Sequence, residues 1–285
     1  MSADESIRPG GSARLAGVGP PGAVGGEAKL EPPNRPGGAA VWSPSVTPPI
    51  GVELSEEQAL AVAFRHLAEI GFAENMAGHI TWQPDGRTEM LVNPWGLWWA
   101  ELTASDICVV DTDARVIRGR WDVTPAIHIH TELHRARSDA RVVVHNHPYY
   151  VSLMASLQSP PELVHQTGAL FLDDLCFVDT YDGEVDTAAR AAELAERIGG
   201  ANVAILASHG VIAMGRTLAE AVYRSATIER VCKLAYHVML AGRTPTPMKR
   251  SDMAGMQASL IERAADVYWA GAARMTIKTD RQVLD

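Results

Sequence analysis

The chain has 285 residues, of which 47% are hydrophobic and 21% are charged, and its formal net charge at pH 7 is -9. This composition is typical of a globular protein with one domain of about two hundred residues plus tails, or with two small domains. The negative charge disfavours nucleic acid and anionic membranes as partners. No apolar run approaches the roughly 20 residues that cross a bilayer.

The cysteines predict a reducing compartment. Cys108, Cys176 and Cys232 are few, odd in number and scattered among apolar neighbours. We therefore expect buried thiols rather than disulfides. The first residues lack the charged start, apolar stretch and cleavage site of a signal peptide, so the expected location is the cytoplasm.

The first segment differs in composition from the rest of the chain. Residues 1–49 contain Pro-Gly and Pro-Pro clusters and almost no periodic apolar pattern. Such a segment buries too little surface to offset its ordering entropy, so a disordered tail is predicted. Residues 50–245 form the predicted main domain, and residues 246–285 form a predicted C-terminal helical extension.

The first half of the main domain predicts one helix followed by antiparallel strands. Ser55-Glu56-Glu57-Gln58 is a capping box that starts an amphipathic helix, and Gly71 ends it. Asp85-Gly86 marks a hairpin turn before an apolar run at 89–92. Further strands are expected at 107–110 and 115–117.

The second half alternates helices with buried strands. Thr124 and Pro125 open a helix over 125–137, on which Ala126, His130 and His134 share one face. The remaining predicted elements are strands at 142–147, 175–178, 203–207 and 211–214, a helix that Asp186 caps, the longest helix from Thr217 to Gly242, and a last helix over 253–273. Helices flanking a largely antiparallel sheet predict a three-layer α/β/α fold.

Histidines cluster at the ends of two predicted strands. Side chains alternate along a strand, so His145 and His147 after Val142-Val143-Val144 are expected on the same face. His209 lies at the tight turn of the later hairpin, where it could approach them. Three neutral imidazoles that leave open positions are typical of a catalytic metal site, whereas a lone His-x-His is as often an ordinary hydrogen-bonded pair.

These motifs resemble the class II aldolase/adducin family. His145-Asn146-His147-Pro148 after an apolar strand and His209-Gly210 some sixty residues later match its metal-binding histidines. Residues 77–81 and 93–96 stand where the family has its Gly-Asn-x-Ser and Thr-Pro-x-Gly loops. The resemblance covers roughly 54–242 and implies the family's fold, metal ligands at His145, His147 and His209, and a homotetramer with sites near subunit boundaries.

The functional positions depart from the family's sugar-phosphate aldolases. Counting back through His130, the family's acid/base glutamate falls on Ala126, and its proton-donating tyrosine, after a histidine that matches His165, falls on Gln166. The phosphate-binding asparagine falls on His79, and the threonine falls on Trp95. These four changes argue against a phosphorylated substrate, because a phosphate requires donors and positive charge.

Aromatic residues crowd the same part of the sequence. The candidate substrate-binding residues are Trp95, Trp98, Trp99, Tyr149 and His165. Aromatic walls with a few polar groups suit a flat apolar ligand, although tryptophans also pack subunit interfaces. His79, His130 and Gln166 are the candidate catalytic residues, since a histidine near a metal can act as acid or base at neutral pH.

The prediction is an iron(II)-dependent oxidative decarboxylase of an aromatic 2-oxo acid. Within the resembled family, oxygenases of aminocoumarin antibiotic pathways convert a prenylated 4-hydroxyphenylpyruvate through the mandelate to a benzoate. Fe²⁺ is favoured and Zn²⁺ or Mn²⁺ is allowed, because imidazole suits several metals. The partners would be a small aromatic acid and dioxygen. The alternatives are a metal-dependent aldolase, a non-oxidative decarboxylase and, less favoured, an adducin-like binding protein.

Overall fold

An eight-stranded sheet organises the part of the chain that the computed structural model describes, residues 47–244 and 246–285. Residues Ile50–Asp285 form one compact unit. The predicted disordered tail lies, up to residue 46, outside the described residues. Among the helices of those residues, none combines the length and apolarity needed to cross a membrane.

The sheet is antiparallel except at one edge. Its strands are β1 (His79–Trp82), β2 (Met90–Val92), β3 (Cys108–Val110), β4 (Val116–Arg118), β5 (Val142–Asn146), β6 (Leu175–Val178), β7 (Val203–Leu206) and β8 (Val211–Gly215). They are arranged in the order β4-β3-β2-β1-β5-β8-β7-β6, with β6 and β7 parallel. The central strand β5 therefore has β1 on one side and β8 on the other.

In the described part of the chain, six α-helices cover the two faces of the sheet. They are α1 (Glu56–Glu69), α2 (His128–Ala136), α3 (Tyr149–Ser156), α4 (Ala188–Ile198), α5 (Leu218–Leu240) and α6 (Arg250–Thr279). Helices α1, α3, α5 and α6 belong to the larger apolar cluster, whereas α2 and α4 belong to a second cluster. The predicted three-layer α/β/α architecture is confirmed.

Alternation along β5 explains why the sheet has two apolar faces. Val142 and Val144 are fully buried in the cluster with α1 and α5, whereas Val143 is fully buried in the cluster with α2 and α4. Full burial of one such side chain contributes about 1.5–3 kcal/mol. His145 continues the face of Val143, which places it at the end of the strand on the side of α2.

Helix starts followed the predicted capping residues with three differences. Thr124 and Pro125 open a 3₁₀ turn, Pro125–Ile127, and α2 begins only at His128. Ser55 forms the predicted reciprocal capping box with Gln58 at the start of α1. Thr217-Leu218-Ala219-Glu220 has the sequence pattern of a second capping box, but only half of the box forms. The Thr217 hydroxyl accepts from the Glu220 N–H, whereas the Glu220 carboxylate accepts from the Arg216 N–H. The cap of α4 is Thr187 and not Asp186, since the helix begins one residue later than predicted.

Two helices differ from the sequence prediction, one in its length and one in its presence. The longest helix is α6, with 30 residues, rather than α5, with 23. Helix α3 directly after the histidine strand was not predicted. Its first N–H groups, those of Tyr150 and Val151, donate to the Glu229 carboxylate of α5. A cap supplied from so far along the chain leaves no local signal.

The cysteines are thiols without disulfide bonds, as predicted. Cys108 and Cys232 are buried, whereas Cys176 is partly exposed, so the expectation of three buried thiols is wrong for Cys176. Burial raises the pKa of the Cys232 thiol well above its ordinary value, which leaves it protonated and unreactive at neutral pH.

Candidate active site

Three histidines from two strand ends converge at one edge of the sheet. His145 is the fourth residue of β5, His147 follows the strand, and His209 lies in the turn between β7 and β8. Their ring centroids are 5.1 Å apart for His145 and His147, 4.8 Å for His145 and His209, and 4.9 Å for His147 and His209. One nitrogen from each ring lies within 4.8 Å of the other two.

The hydrogen bonds of two of these rings set their tautomers. The Nδ1–H of His145 donates to the Val211 carbonyl at 3.0 Å, and the Nδ1–H of His147 donates to the Glu74 carboxylate at 2.6 Å. A neutral imidazole carries one proton, so both Nε2 atoms keep a lone pair. The Nε2 of His147 is buried without a hydrogen-bond partner among the described residues. This donor set fits a divalent metal.

The protonation states also fit a metal, which requires neutral imidazoles. Burial, reinforced by the nearby His209, lowers the pKa of His145 well below its ordinary value. Burial, followed by the proximity of His147, lowers the pKa of His209 to about 4. Both rings are therefore unprotonated at neutral pH.

Two glycines allow the loops to approach the histidine strand. A Cβ on Gly210 would lie 2.5 Å from the Asn146 carbonyl oxygen and from Cδ2 of His147. A Cβ on Gly78, whose φ is +85°, would lie 2.4 Å from the side-chain nitrogen of Asn146. Only glycine permits these contacts, so the His209 turn and the loop before β1 both close against β5.

A chain of hydrogen-bonded side chains leads away from the three histidines. Nδ1 of His79 lies 2.5 Å from Nε2 of His130, Nδ1 of His130 lies 2.7 Å from the Thr81 hydroxyl, and that hydroxyl lies 2.7 Å from Nε2 of His134. His79 also pairs with His145 across β1 and β5, with ring centroids 5.1 Å apart. The chain therefore connects the site with the partly exposed His134.

Burial keeps the three histidines of this hydrogen-bonded series neutral. It lowers the pKa of His79 to about 3, with smaller contributions from His147 and His209, and the pKa of His134 to about 4. It also lowers the pKa of His130 well below its usual range, with His79 and His134 contributing further. Neutral rings can each donate one hydrogen bond and accept one, as a continuous chain requires.

A cavity of about 410 Å³ opens in front of the histidines. Its walls include the following residues: Met76, His79, Asn93, Pro94, Trp95, Thr124, Pro125, Ala126, Ile129, His145, His147, Tyr181, Glu184, Val185, Asp186 and His209. Among the described residues that line it, none is a lysine or an arginine. The charged groups of the wall are the carboxylates of Glu184 and Asp186, on the loop between β6 and α4.

The predicted aromatic wall divides into three environments. Trp95 lines the cavity and is 60% exposed. Trp99 is fully buried against Phe64 and Phe72, and its indole N–H donates to the Gly78 carbonyl, so its predicted substrate contact is wrong for this chain. Trp98 is exposed and does not line the cavity.

Three further predicted site residues lie outside the cavity of one chain. Tyr149 begins α3 and is 67% exposed. His165 and Gln166 are exposed at the start of the 3₁₀ helix Gln166–Phe171, where the His165 ring caps the N–H of Thr167. Their assignment to the site stays a prediction.

Sequence reasoning missed Glu74, Thr81 and Tyr181. Thr81 had a readable signal, because it alternates with His79 along β1 and so faces the same side. Glu74 had none, since it lies 73 residues before its partner His147. Tyr181, whose ring is 6.3 Å from that of His209, lies in a loop without a periodic pattern.

Comparison with known proteins identifies the class. The family model described as "Class II Aldolase and Adducin N-terminal domain" matches residues 58–236, which include the three histidines. The structure of L-fuculose 1-phosphate aldolase from Glaciozyma antarctica PI12 matches with a TM-score of 0.70 and 23% identity, covering 80% of this chain and 91% of that one. The chain belongs to the class II aldolase/adducin family.

Two curated relatives point to different reactions. The 4-hydroxy-3-prenylphenylpyruvate oxygenase/4-hydroxy-3-prenylbenzoate synthase of Streptomyces roseochromogenus subsp. oscitans is 29% identical over 206 residues, which is 69% of this chain and 73% of that protein. The L-fuculose phosphate aldolase of Methanococcus vannielii is 31% identical over 150 residues, 52% of this chain and 78% of that protein. At such identities, the site itself must discriminate between the two reactions.

Proposed function

We propose that this protein is a metal-dependent enzyme that cleaves a carbon–carbon bond, with iron(II)-dependent oxidative decarboxylation of an aromatic 2-oxo acid as its reaction. The observation that carries the proposal is the composition of the cavity. Three imidazoles stand at a wall that has a tryptophan and several apolar groups, and none of the described lining residues is a lysine or an arginine.

His145, His147 and His209 would hold the metal through ring nitrogens. Bound iron(II) would supply dioxygen activation and a positive charge for a 2-oxo carboxylate, which is chemistry that no side chain in the cavity provides. Three imidazoles leave positions open for such a ligand. The protein would fix the rings through the Val211 carbonyl and the Glu74 carboxylate.

The cavity disfavours a sugar phosphate. Arginine, lysine or several aimed N–H groups normally bind a phosphate, and the described lining has neither cationic side chain. Glu184 and Asp186 would also repel a doubly charged group. Ala126 lines the cavity at the position of the aldolase glutamate, so the carboxylate that serves as the aldolase acid/base is missing there. A substrate with one carboxylate and an aromatic body carries less negative charge for Glu184 and Asp186 to repel, and an oxidative reaction does not need the aldolase acid/base.

Trp95 would bind the aromatic part of the substrate. Its indole is exposed in the cavity, and Pro94, Ile129 and Val185 add apolar surface. Stacking on such a wall contributes about 0.5–1.5 kcal/mol beyond the buried area. This arrangement suits a prenylated 4-hydroxyphenyl group better than a sugar.

His79 is the proposed catalytic residue, with His130 as its positioning partner. Consider first the arrangement in which the Thr81 hydroxyl donates to His134. The Thr81 oxygen then accepts from His130, and His130 accepts from His79. The Nε2 of His79 is left as a proton acceptor. If all three bonds reverse, the Nε2 of His79 carries a proton. His79 can thus take a proton at Nε2 while its ring stays neutral, with the matching proton leaving Nδ1 of His134, and the reverse transfer gives the proton back. Gln166, exposed outside this chain's cavity, could act only if a second chain brings it there.

A zinc- or manganese-dependent lyase is the second candidate. Glu184 and Asp186 at the cavity wall provide carboxylates that could act as a base in place of the missing glutamate. The aldolase relative from Methanococcus vannielii supports the same reading. An adducin-like binding role is less favoured, because this chain keeps the complete histidine triad.

Oxygen uptake tests the proposal. Protein purified anaerobically and loaded with iron(II) is mixed with 4-hydroxyphenylpyruvate or its 3-prenylated analogue, and dissolved oxygen and carbon dioxide are followed. Zinc-loaded protein is the matched control. We expect iron-dependent oxygen consumption with carbon dioxide release, and faster turnover of the prenylated acid. Equal product formation with zinc or without oxygen would refute oxidative chemistry and favour the lyase.

A further inference from the structure

The three histidines of the triad differ in what holds their second ring nitrogen. His145 donates to a backbone carbonyl, and His209 has no side-chain hydrogen bond among the described contacts. His147 donates to a carboxylate, that of Glu74, at 2.6 Å. A carboxylate accepts a stronger hydrogen bond than a carbonyl and makes the imidazole a better electron donor.

A buried amide fixes Glu74 and His147 relative to each other. The side-chain oxygen of Asn146, a fully buried residue, accepts from the Glu74 N–H at 3.0 Å and from the His147 N–H at 2.6 Å. The side-chain nitrogen of Asn146 donates to the Ala77 carbonyl at 3.0 Å. One side chain thus connects the loop before β1 with the end of β5, so the carboxylate is held where the imidazole needs it.

We infer that Glu74 is a positioning residue of the metal site. Its carboxylate holds His147 as the Nδ1–H tautomer, directs the Nε2 lone pair toward His145 and His209, and adds negative charge next to a dication. Glu74 is 51% exposed in its side chain and does not line the cavity, so its effect passes through His147. This inference rests on the metal site of the proposed function, but not on the choice between oxygenase and lyase.

Metal affinity provides the first test. Zn²⁺ and Co²⁺ dissociation constants are measured by competition with a chromophoric chelator for the unaltered protein, Glu74→Gln and Glu74→Ala. Removing an outer carboxylate typically weakens metal binding 10- to 100-fold. We expect about tenfold for Glu74→Gln, whose amide oxygen can still accept from Nδ1, and about 100-fold for Glu74→Ala. Glu69→Gln, which removes the same charge from the exposed side of α1, should bind like the unaltered protein.

The tautomer of His147 provides a second test that needs no metal. In metal-free protein, ¹⁵N–¹H correlation spectra should show protonated Nδ1 in the unaltered protein and in Glu74→Gln. Glu74→Ala should shift His147 toward the Nε2–H form, with an unchanged melting temperature. Unchanged metal affinity and tautomer in Glu74→Ala would overturn the inference while leaving the triad in place. Absence of metal binding in the unaltered protein would instead refute the proposed function.

Discussion

The sequence predicts both a histidine triad and a tryptophan-lined wall for the site, and of these two only the triad assembles as a unit. His145, His147 and His209 meet within 4.8 Å of one another. Trp95 lines the cavity, Trp98 is exposed to solvent, and Trp99 is buried in the core. The pairing of β5 with β8 brings the end of β5 and the turn that carries His209 to the same edge of the sheet, whereas the tryptophans lie in a loop after β2. Residues on a paired strand or directly next to one are therefore easier to place from the sequence than residues in a longer loop.

Removing one member of the triad should have the largest effect. In His147→Ala, we expect loss of bound metal and of turnover by at least about three orders of magnitude, because two imidazoles leave a divalent ion weakly held. Metal content by elemental analysis and initial rates measure this. His237→Ala is the matched control, since His237 is exposed, does not line the cavity, and has its ring hydrogen-bonded to the Lys233 carbonyl of its own helix. Retained metal in His147→Ala would remove the proposed site.

The buried tryptophan should control stability. Trp99→Ala should lower the free energy of unfolding by about 3–5 kcal/mol, because it leaves a cavity between Phe64 and Phe72. Urea denaturation followed by circular dichroism gives the value. Aromatic-acid affinity measured under folding conditions should be unchanged. A stable Trp99→Ala variant with weakened ligand binding would contradict the assignment of Trp99 to the core rather than to the cavity wall.

The histidine chain predicts acid sensitivity of the metal-free protein. The pKa of His134 is about 4 in the folded state and about 6.5 when unfolded, so the unfolded state binds more protons as pH falls below 6.5. Stability should therefore be complete above pH 7 and decline toward pH 4. At pH 5, His134 alone accounts for roughly 2 kcal/mol. Urea titrations at pH 7.5 and 5.0 measure the difference, and His134→Asn should reduce it. An equal pH dependence in that variant would refute this assignment.

The exposed tryptophans should show the smallest and most selective effect. Trp95→Ala should weaken binding of an aromatic acid about tenfold, or about 1.4 kcal/mol, while stability changes by less than about 0.5 kcal/mol. Calorimetric titration of the metal-loaded protein gives the affinity. Trp98→Ala is the matched control, since Trp98 is similarly exposed but outside the cavity lining, and it should change neither quantity. Equal affinity in both variants would refute the role of Trp95 in substrate binding and favour a role in subunit packing.

Sequence patterns predicted the layers of the fold and put His145 and His147 on one face, and the resemblance to the family added His209 as the third predicted ligand. Apolar runs of β-branched residues predicted the strands, the Ser55 capping box predicted the start of α1, and alternation placed His145 beside His147. Each of these signals is local, because it depends on residues a few positions apart along the chain.

The residues that complete the site can be identified only from the packed fold. The Glu74 contact to His147, the Glu229 cap of α3 and the burial of Trp99 each join segments that are distant in sequence or depend on the packing around a loop. Such contacts depend on how the helices, strands and loops pack together. The local sequence does not specify them, because many loop conformations are compatible with the same local pattern. The triad was therefore readable from the chain, whereas its supporting carboxylate and the cavity walls required the fold.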